Sequence, residues 1–116
     1  ISIDSTITLN QIPVVVIIGP VTKSSGSMTG IAFKKRLNTI FIGEPIADGY
    51  TTSNGYFQFA PNLSLNFATH YVADRNMTIY KKTVKPDITI YRGDDFDDLM
   101  QDEKIKVAIQ WLIDHK

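Results

Sequence analysis

Pro13-Val14-Val15-Val16-Ile17-Ile18-Gly19-Pro20-Val21-Thr22-Lys23-Ser24-Ser25-Gly26-Ser27-Met28-Thr29-Gly30-Ile31-Ala32 decides how the rest of the chain is read. The β-branched run Val14 to Ile18 stops at Gly19-Pro20, a short polar loop follows, and Met28, Ile31 and Ala32 then recur at helical spacing. That is strand, loop and helix, with serines and a glycine where the helix begins. The first N–H groups of a helix are unpaired and point at whatever lies ahead of them. A serine hydroxyl there has two possible uses. It caps the free N–H groups, as serine commonly does, or it is a nucleophile beside an oxyanion site. The local pattern leaves both open.

Working outward, Val14 to Ile18 is apolar on both sides, which predicts a strand buried on both faces of a parallel sheet. The helix is expected from about Ser27 to Arg36. Lys34, Lys35 and Arg36 then fall in its last turn, where positive charge suits the helix dipole, as a solvated helix end. Thr39-Ile40-Phe41-Ile42-Gly43 is a second short strand. Strand, helix and strand within about 30 residues make a βαβ unit with parallel pairing and a right-handed crossover. Ligands of such units sit at the carboxyl ends of the strands. The Lys23–Ser27 loop and the Gly43–Tyr50 loop both belong there.

Glu44 to Gly55 reads as loop, punctuated by Pro45, Gly49, Asn54 and Gly55. Tyr56–Ala60 and Leu63–Ala68 alternate, with Phe57 and Phe59 on one face and Leu63, Leu65 and Phe67 on another, and Pro61-Asn62 forms the turn of a hairpin. A second hairpin is expected from Tyr71–Ala73 and Thr78–Lys82 across Asp74-Arg75-Asn76, followed by a strand at Ile88–Tyr91. The last element is an amphipathic helix carrying Ile105, Ala108, Ile109 and Leu112, widened by Trp111. Before the first strand, Ile1 to Asn10 alternates apolar and polar residues and fits either an edge strand or a disordered arm.

Composition bounds the function classes. With 116 residues, 43% of them hydrophobic, the chain is one domain or a piece of one, able to bury a core. Twelve basic and twelve acidic residues cancel, leaving no basic field for nucleic acid and no polybasic helix for a membrane surface. There is no cysteine, hence no disulfide, thiol catalysis or thiolate metal site. The apolar run Val14 to Ile18 is far too short to span a bilayer. The first residue is Ile1, which reads as a cut or processed chain whose upstream signal or anchor would not be visible. Asp94, Asp95, Asp97 and Asp98 lack the alternate spacing and closing Glu of a calcium loop, and carboxylates ahead of a helix suit its dipole. No metal or cofactor is expected.

Taken together, Gly-Pro-Val-Thr-Lys-Ser-Ser-Gly-Ser-Met opening a helix, Ile-Phe-Ile-Gly-Glu-Pro at the next strand, and Val84-Lys85-Pro86-Asp87-Ile88 before a closing helix resemble the C-terminal part of the catalytic domain of the tail-specific, or C-terminal-processing, serine protease family. The resemblance covers about residues 13 to 113. It implies an α/β crotonase-like (ClpP-like) core fragment, a βαβ unit followed by β-hairpins and a C-terminal helix, and it implies serine peptidase chemistry. Residues 1–12 are then an N-terminal arm or edge strand, and 13–116 the C-terminal segment of the protease catalytic domain. The family's nucleophile is the first serine of a Ser-x-Ser-Glu-like turn. Here Ser25-Gly26-Ser27-Met28 makes Ser25 the nucleophile, with the Gly26 backbone N–H as an oxyanion donor and Ser24 as competitor. Met28 stands where the family usually has Glu. In the Gly43-to-Tyr50 loop, Tyr50 takes the place of the lysine base of one branch, and a phenol with pKa near 10 is a poor base at neutral pH. The resemblance is therefore closer to the branch whose base is a histidine from an earlier part of the chain.

Neither His70, without an identifiable partner, nor His115 at the C-terminus reads as that base. Lys23 is adjacent to the serines but not aimed at them, and Asp87 reads as a turn residue after Pro86. The expected function is a serine endopeptidase fragment that forms an acyl-enzyme on Ser25, inactive alone, with the general base supplied from outside the segment. Its partner is a protein or peptide substrate, and an exported or cell-surface bacterial location follows from the resemblance. The alternative is a non-catalytic relative that binds a peptide or apolar ligand. A third possibility is an interaction module forming homo-oligomers through exposed strands.

Overall fold

The computed structural model describes residues 9–116. The elements run β1 (Val14–Ile18), α1 (Ser25–Phe33), β2 (Thr39–Gly43), β3 (Thr52–Ala60), β4 (Leu63–Tyr71), β5 (Ile88–Thr89) and α2 (Glu103–Asp114), after a 3-10 turn at Leu9–Gln11. The rest of the N-terminal alternating segment lies outside the described residues. β1 and β2 pair in parallel with Val14 opposite Thr39 and Ile18 opposite Gly43, as the βαβ reading requires. β5 adds in parallel on the far side of β2, giving the order β1-β2-β5. Aspartate 87 fastens that join: its N–H donates to the Phe41 carbonyl and its carboxylate accepts the Phe41 N–H, each at 2.8 Å.

The core follows from strand alternation. Phe41 packs with Ile18, Ile31, Ile46 and Val84, so one sheet face is covered by α1 and by the loops around Ile46 and Val84. Ile42 is fully buried on the other face, and α2 packs against β1 and β2 through the buried Ala108. β2, in the middle, is thus the strand buried on both faces. β1 is the edge: Ile17 is 43% exposed, which corrects the expectation of a doubly buried β1.

Helix α1 is shifted from its expected span of Ser27 to Arg36. It starts at Ser25 and ends at Phe33, because Lys34 turns extended (ψ 141°) and Lys35 is left-handed (φ 60°). Its buried residues are Ser27, Gly30 and Ile31, whereas Ala32 is exposed. Lys34 is accordingly no solvated helix end. Its stem is buried, its ammonium donates to the Lys85 carbonyl at 2.8 Å, and it lies 3.8 Å from the Phe41 ring centroid. Burial holds its pKa below the ordinary lysine range, against the pull of Asp87. Arg36 reaches back to the carbonyls of Leu9 and Ile12.

The hairpin turns at Pro61-Asn62 as expected, but β3 begins at Thr52, inside the stretch read as loop. Phe57 is paired with Leu65, and Gly55 with Phe67, so the two apolar rows share a face instead of occupying separate ones. Phe57 stacks on Phe67 with centroids 5.1 Å apart. The expected second hairpin reduces to one bridge, Ala73 to Ile79. Asp74 closes that turn by accepting from the N–H groups of Asn76 and Thr78 and from the Tyr80 hydroxyl. Strand β5 stops at Thr89, short of the expected Tyr91.

Asp102 caps α2 by accepting the Ile105 N–H at 3.0 Å, and its other oxygen accepts the Asp95 N–H. The Ile105 bond leads the effects that hold the Asp102 carboxyl below its ordinary pKa, over the opposing effect of burial. At Asp74, burial pushes upward, but the bonds from Tyr80, Thr78 and Asn76 outweigh it, and its pKa is also depressed. A folded-state pKa below the unfolded one stabilises fully above the unfolded value and loses that stabilisation as pH falls through the folded one. Stability measured by urea unfolding is therefore expected to fall as pH drops below about 4. Asp102→Asn, which keeps a cap but cannot titrate, should flatten that fall, and Asp102→Ala should cost about 1 kcal/mol at neutral pH.

Candidate functional site

Two loops meet at the carboxyl end of β1 and β2. The first leaves β1 through a tight turn in which the Thr22 N–H donates to the Gly19 carbonyl at 2.9 Å and the Gly19 N–H donates to the Thr22 hydroxyl at 3.1 Å. The second leaves β2 at Gly43, where φ is +122° and a Cβ would lie 2.1 Å from the Ile18 carbonyl oxygen. Only glycine permits that approach. The Glu44 N–H then donates to Ile18 O at 3.0 Å, and the Ala47 N–H donates to Thr22 O at 3.1 Å. The two loops expected to converge are thus joined backbone to backbone.

Ser24 sits at their junction with φ 54° and ψ −126°. A non-glycine residue in this sparsely populated conformation carries about 1–3 kcal/mol of strain. It occupies the N-cap of α1, yet its hydroxyl makes no capping bond. Its carbonyl accepts the Met28 N–H at 3.1 Å. Ser24 lines a recess of about 320 Å³ together with Met28, Gly49, Tyr50, Thr52 and Asn54.

The neighbouring residues are placed differently. Ser25 is the first residue of the helix, exposed, with its carbonyl accepting the Thr29 hydroxyl at 2.9 Å. The Gly26 N–H, the expected oxyanion donor, is engaged by the Lys23 carbonyl at 3.1 Å. Ser27 is buried, and its hydroxyl has no partner among the described residues. The Lys23 ammonium lies 5.9 Å over the Tyr50 ring, outside the recess lining.

Neither histidine lines the recess. His70, on β4 opposite Ser53, is exposed and its Nδ1 is 2.8 Å from the Thr69 hydroxyl. His115 stacks on Trp111 with centroids 3.9 Å apart. The acidic run is used locally: Asp95 accepts the N–H groups of Asp97 and Asp98, and Asp98 accepts that of Met100. A larger cavity, about 750 Å³, lies at the amino end of β2 beside Lys34, Lys85, Asp87 and Trp111. It is bigger but contains no nucleophile-bearing turn, so the smaller recess is the candidate site.

One residue of consequence was not visible in the sequence. Lys104, on α2, is buried, and its ammonium lies 2.8 Å from Glu44 and 2.7 Å from Asp94. Glu44 belongs to the second site loop, so a helix far along the chain holds that loop in place. Thr52 and Asn54 were also missed as lining residues, because their stretch read as loop.

Comparison with known proteins adds three findings. The model of Peptidase family S41 matches residues 3–90. A nisin-resistance protein of Lactococcus lactis subsp. lactis is 33% identical over 81 residues, covering 69% of this chain and 25% of that protein. The solved structure of a lipoprotein from Streptococcus agalactiae superposes with a TM-score of 0.70 at 27% identity, covering 90% of this chain and 32% of that one. The chain thus spans about a quarter of the one relative and a third of the other.

Proposed function

This chain belongs to peptidase family S41, and on that premise we propose that it is the part of a serine endopeptidase that carries the nucleophile, with Ser24 in that role. The observation that carries the reading is the Ser24 conformation: a strained helix-start serine, its hydroxyl free of capping, on the wall of a recess. In this reading Ser24 Oγ attacks the scissile carbonyl carbon, the C–N bond breaks, and the proton from Oγ ends on the departing amine. Water then hydrolyses the ester to release the acid. The N–H of Ser25, the next residue, has no partner among the described residues and is the oxyanion donor favoured by the geometry. Ser25 with the Gly26 N–H is the rival assignment. It requires Gly26 to leave the Lys23 carbonyl.

The proton needs a base, and the recess offers none beyond the Tyr50 phenol. We assign the base to a part of the protein outside this segment. The wider fold in this proposal is a crotonase-like core of the tail-specific, or C-terminal-processing, kind, closer to the branch with a histidine base. The lipoprotein relative supports a cell-surface or extracytoplasmic location, and among the described residues no helix is long and apolar enough to cross a membrane. The exposed apolar hairpin supports self-association. A second reading, a non-catalytic peptide-binding relative, is favoured by one observation: Met28 stands where the family resemblance calls for Glu.

A fluorophosphonate probe, which phosphonylates activated serines, separates these readings. On the complete parent protein we expect one covalent adduct, located by mass spectrometry on Ser24. An adduct on Ser25 moves the nucleophile by one residue, and no adduct together with no peptide hydrolysis gives the binding module precedence.

A further inference from the structure

The larger cavity, at the amino end of β2, gathers charge that the rest of the fold leaves uncompensated. Lys34, Lys35, Arg36 and Lys85 line it together with a single carboxylate, Asp87. Over the whole chain twelve basic and twelve acidic residues cancel, so four cations against one anion make a local positive field. None of the four forms an ion pair with a carboxylate among the described residues. Arg36 directs its guanidinium to neutral oxygens, the carbonyls of Leu9, Ile12 and Leu37 and the Thr39 hydroxyl. The Asp87 carboxylate accepts the Phe41 N–H.

Lys34 stands out within this set. It is only 9% exposed, yet its ammonium, with three hydrogens to donate, has one acceptor among the described residues, the Lys85 carbonyl, and otherwise faces the Phe41 ring. A buried charge is ordinarily paired with an opposite one. Desolvation here outweighs the pull of Asp87 and lowers the ammonium pKa, as befits a charge short of a counter-ion. Ile40 and Trp111, both half-buried, supply apolar wall. At about 750 Å³ the cavity has room for an organic molecule and not merely an inorganic ion.

We propose that this cavity binds a phosphate monoester, with the phosphate against the Lys34 ammonium in the field of Lys35, Arg36 and Lys85, and the organic part against Ile40 and Trp111. The site is separate from the recess, since it opens at the amino end of β2 whereas Ser24 stands at the carboxyl end of the sheet. Four cations suit a doubly charged group with several acceptor oxygens better than a carboxylate, which would leave most of their charge unmatched. A soluble ester and a lipid headgroup share this chemistry.

The test is calorimetric titration of the complete parent protein with phenyl phosphate, and with benzoate and benzyl alcohol as probes that lack the dianion. Phenyl phosphate is expected to bind at least about tenfold more tightly than benzoate, and benzyl alcohol not to bind. Lys34→Met, which keeps the length of the stem and removes the charge, should weaken phenyl phosphate at least about tenfold. Lys82→Met, exposed and outside the cavity, should leave it unchanged. Should Lys34→Met fail to fold, Lys35→Gln combined with Lys85→Gln, both exposed, serves instead and should weaken binding about threefold or more. Sedimentation with phosphatidylcholine vesicles, with and without phosphatidic acid, separates the two sources. Capture that needs both phosphatidic acid and Lys34 assigns a lipid headgroup, and phenyl phosphate binding without capture assigns a soluble ester. The proposal is overturned if the parent binds neither phenyl phosphate nor phosphatidic acid, if benzoate binds as tightly as phenyl phosphate, or if the folded charge variants bind as the parent does.

Discussion

Ser24→Ala in the complete parent protein is expected to lower kcat for peptide hydrolysis by at least about 10⁴-fold, since removing the nucleophile of a serine peptidase costs up to about 10⁶. KM should change little, because the hydroxyl of Ser24 makes no hydrogen bond that shapes the recess. Ser25→Ala should stay within about tenfold of the parent, since the Ser25 hydroxyl faces solvent outside the recess. The reversed result would identify Ser25 as the nucleophile. The backbone supplies a second, independent readout. Glycine adopts a positive φ at little cost, so Ser24→Gly should be equally inactive yet about 1 kcal/mol more stable than Ser24→Ala in urea unfolding. A Ser24→Gly protein no more stable than Ser24→Ala would mean that the serine position holds no strain.

The second large effect is on folding. Lys104→Met is expected to destabilise by about 3 kcal/mol, the cost of leaving buried charge without its partner. The Lys104 side chain is 3% exposed and serves both Glu44, 16% exposed, and Asp94, 39% exposed. Burial by itself pushes the Lys104 ammonium pKa down, but the hydrogen bonds it donates to Asp94 and Glu44 override it and hold the value above the ordinary lysine range. A raised folded-state pKa means that this stabilisation is complete below the unfolded value and is lost only as pH rises through the folded one. The Lys104 ammonium is therefore charged throughout the neutral range, and on the acid side the fold is weakened through Asp74 and Asp102. Lys104→Met combined with Glu44→Gln should recover part of the loss, because the carboxylate least able to reach water is then neutral. Equal stability of Lys104→Met and the parent, by chemical denaturation at pH 7, would show that the cluster contributes nothing.

Much of this architecture is local chemistry and could be read directly. The β-branched runs at Val14–Ile18 and Thr39–Ile42 are separated by about one helix and its loops, and that spacing permits little besides parallel pairing. Pro61-Asn62 between two alternating runs is turn chemistry of the same local kind. What escaped the sequence depends on distant partners. Lys104 looks like one more charge beside an apolar stripe until the fold brings Glu44, 60 residues away, to its ammonium. Lys34 likewise ends a helix in sequence but in space lies against Phe41 and the Lys85 carbonyl. The convergence of the two site loops was legible, because strand polarity dictates which ends meet. Which serine carries the unusual backbone was not, since Ser-Ser-Gly-Ser offers four residues that tolerate turns and only tertiary packing selects one.

The β3–β4 hairpin has a further consequence, for motion. Its two strands bond to each other, its apolar face is largely open, and from Thr52 to Tyr71 it carries no Asp, Glu, Lys or Arg to anchor it by charge. Segments that bury little against the rest of a protein open with lower free energy than its core. Amide hydrogen exchange should therefore be faster in Tyr56–Phe67 than in β2, whose Phe41 and Ile42 are sealed on both sides. Since Thr52 and Asn54 at the base of the hairpin also wall the recess, breathing of the hairpin would widen and narrow the passage beside Ser24. The rate at which a peptide enters would then be set by the fluctuation of one ribbon, while the parallel sheet beneath it holds the serine still.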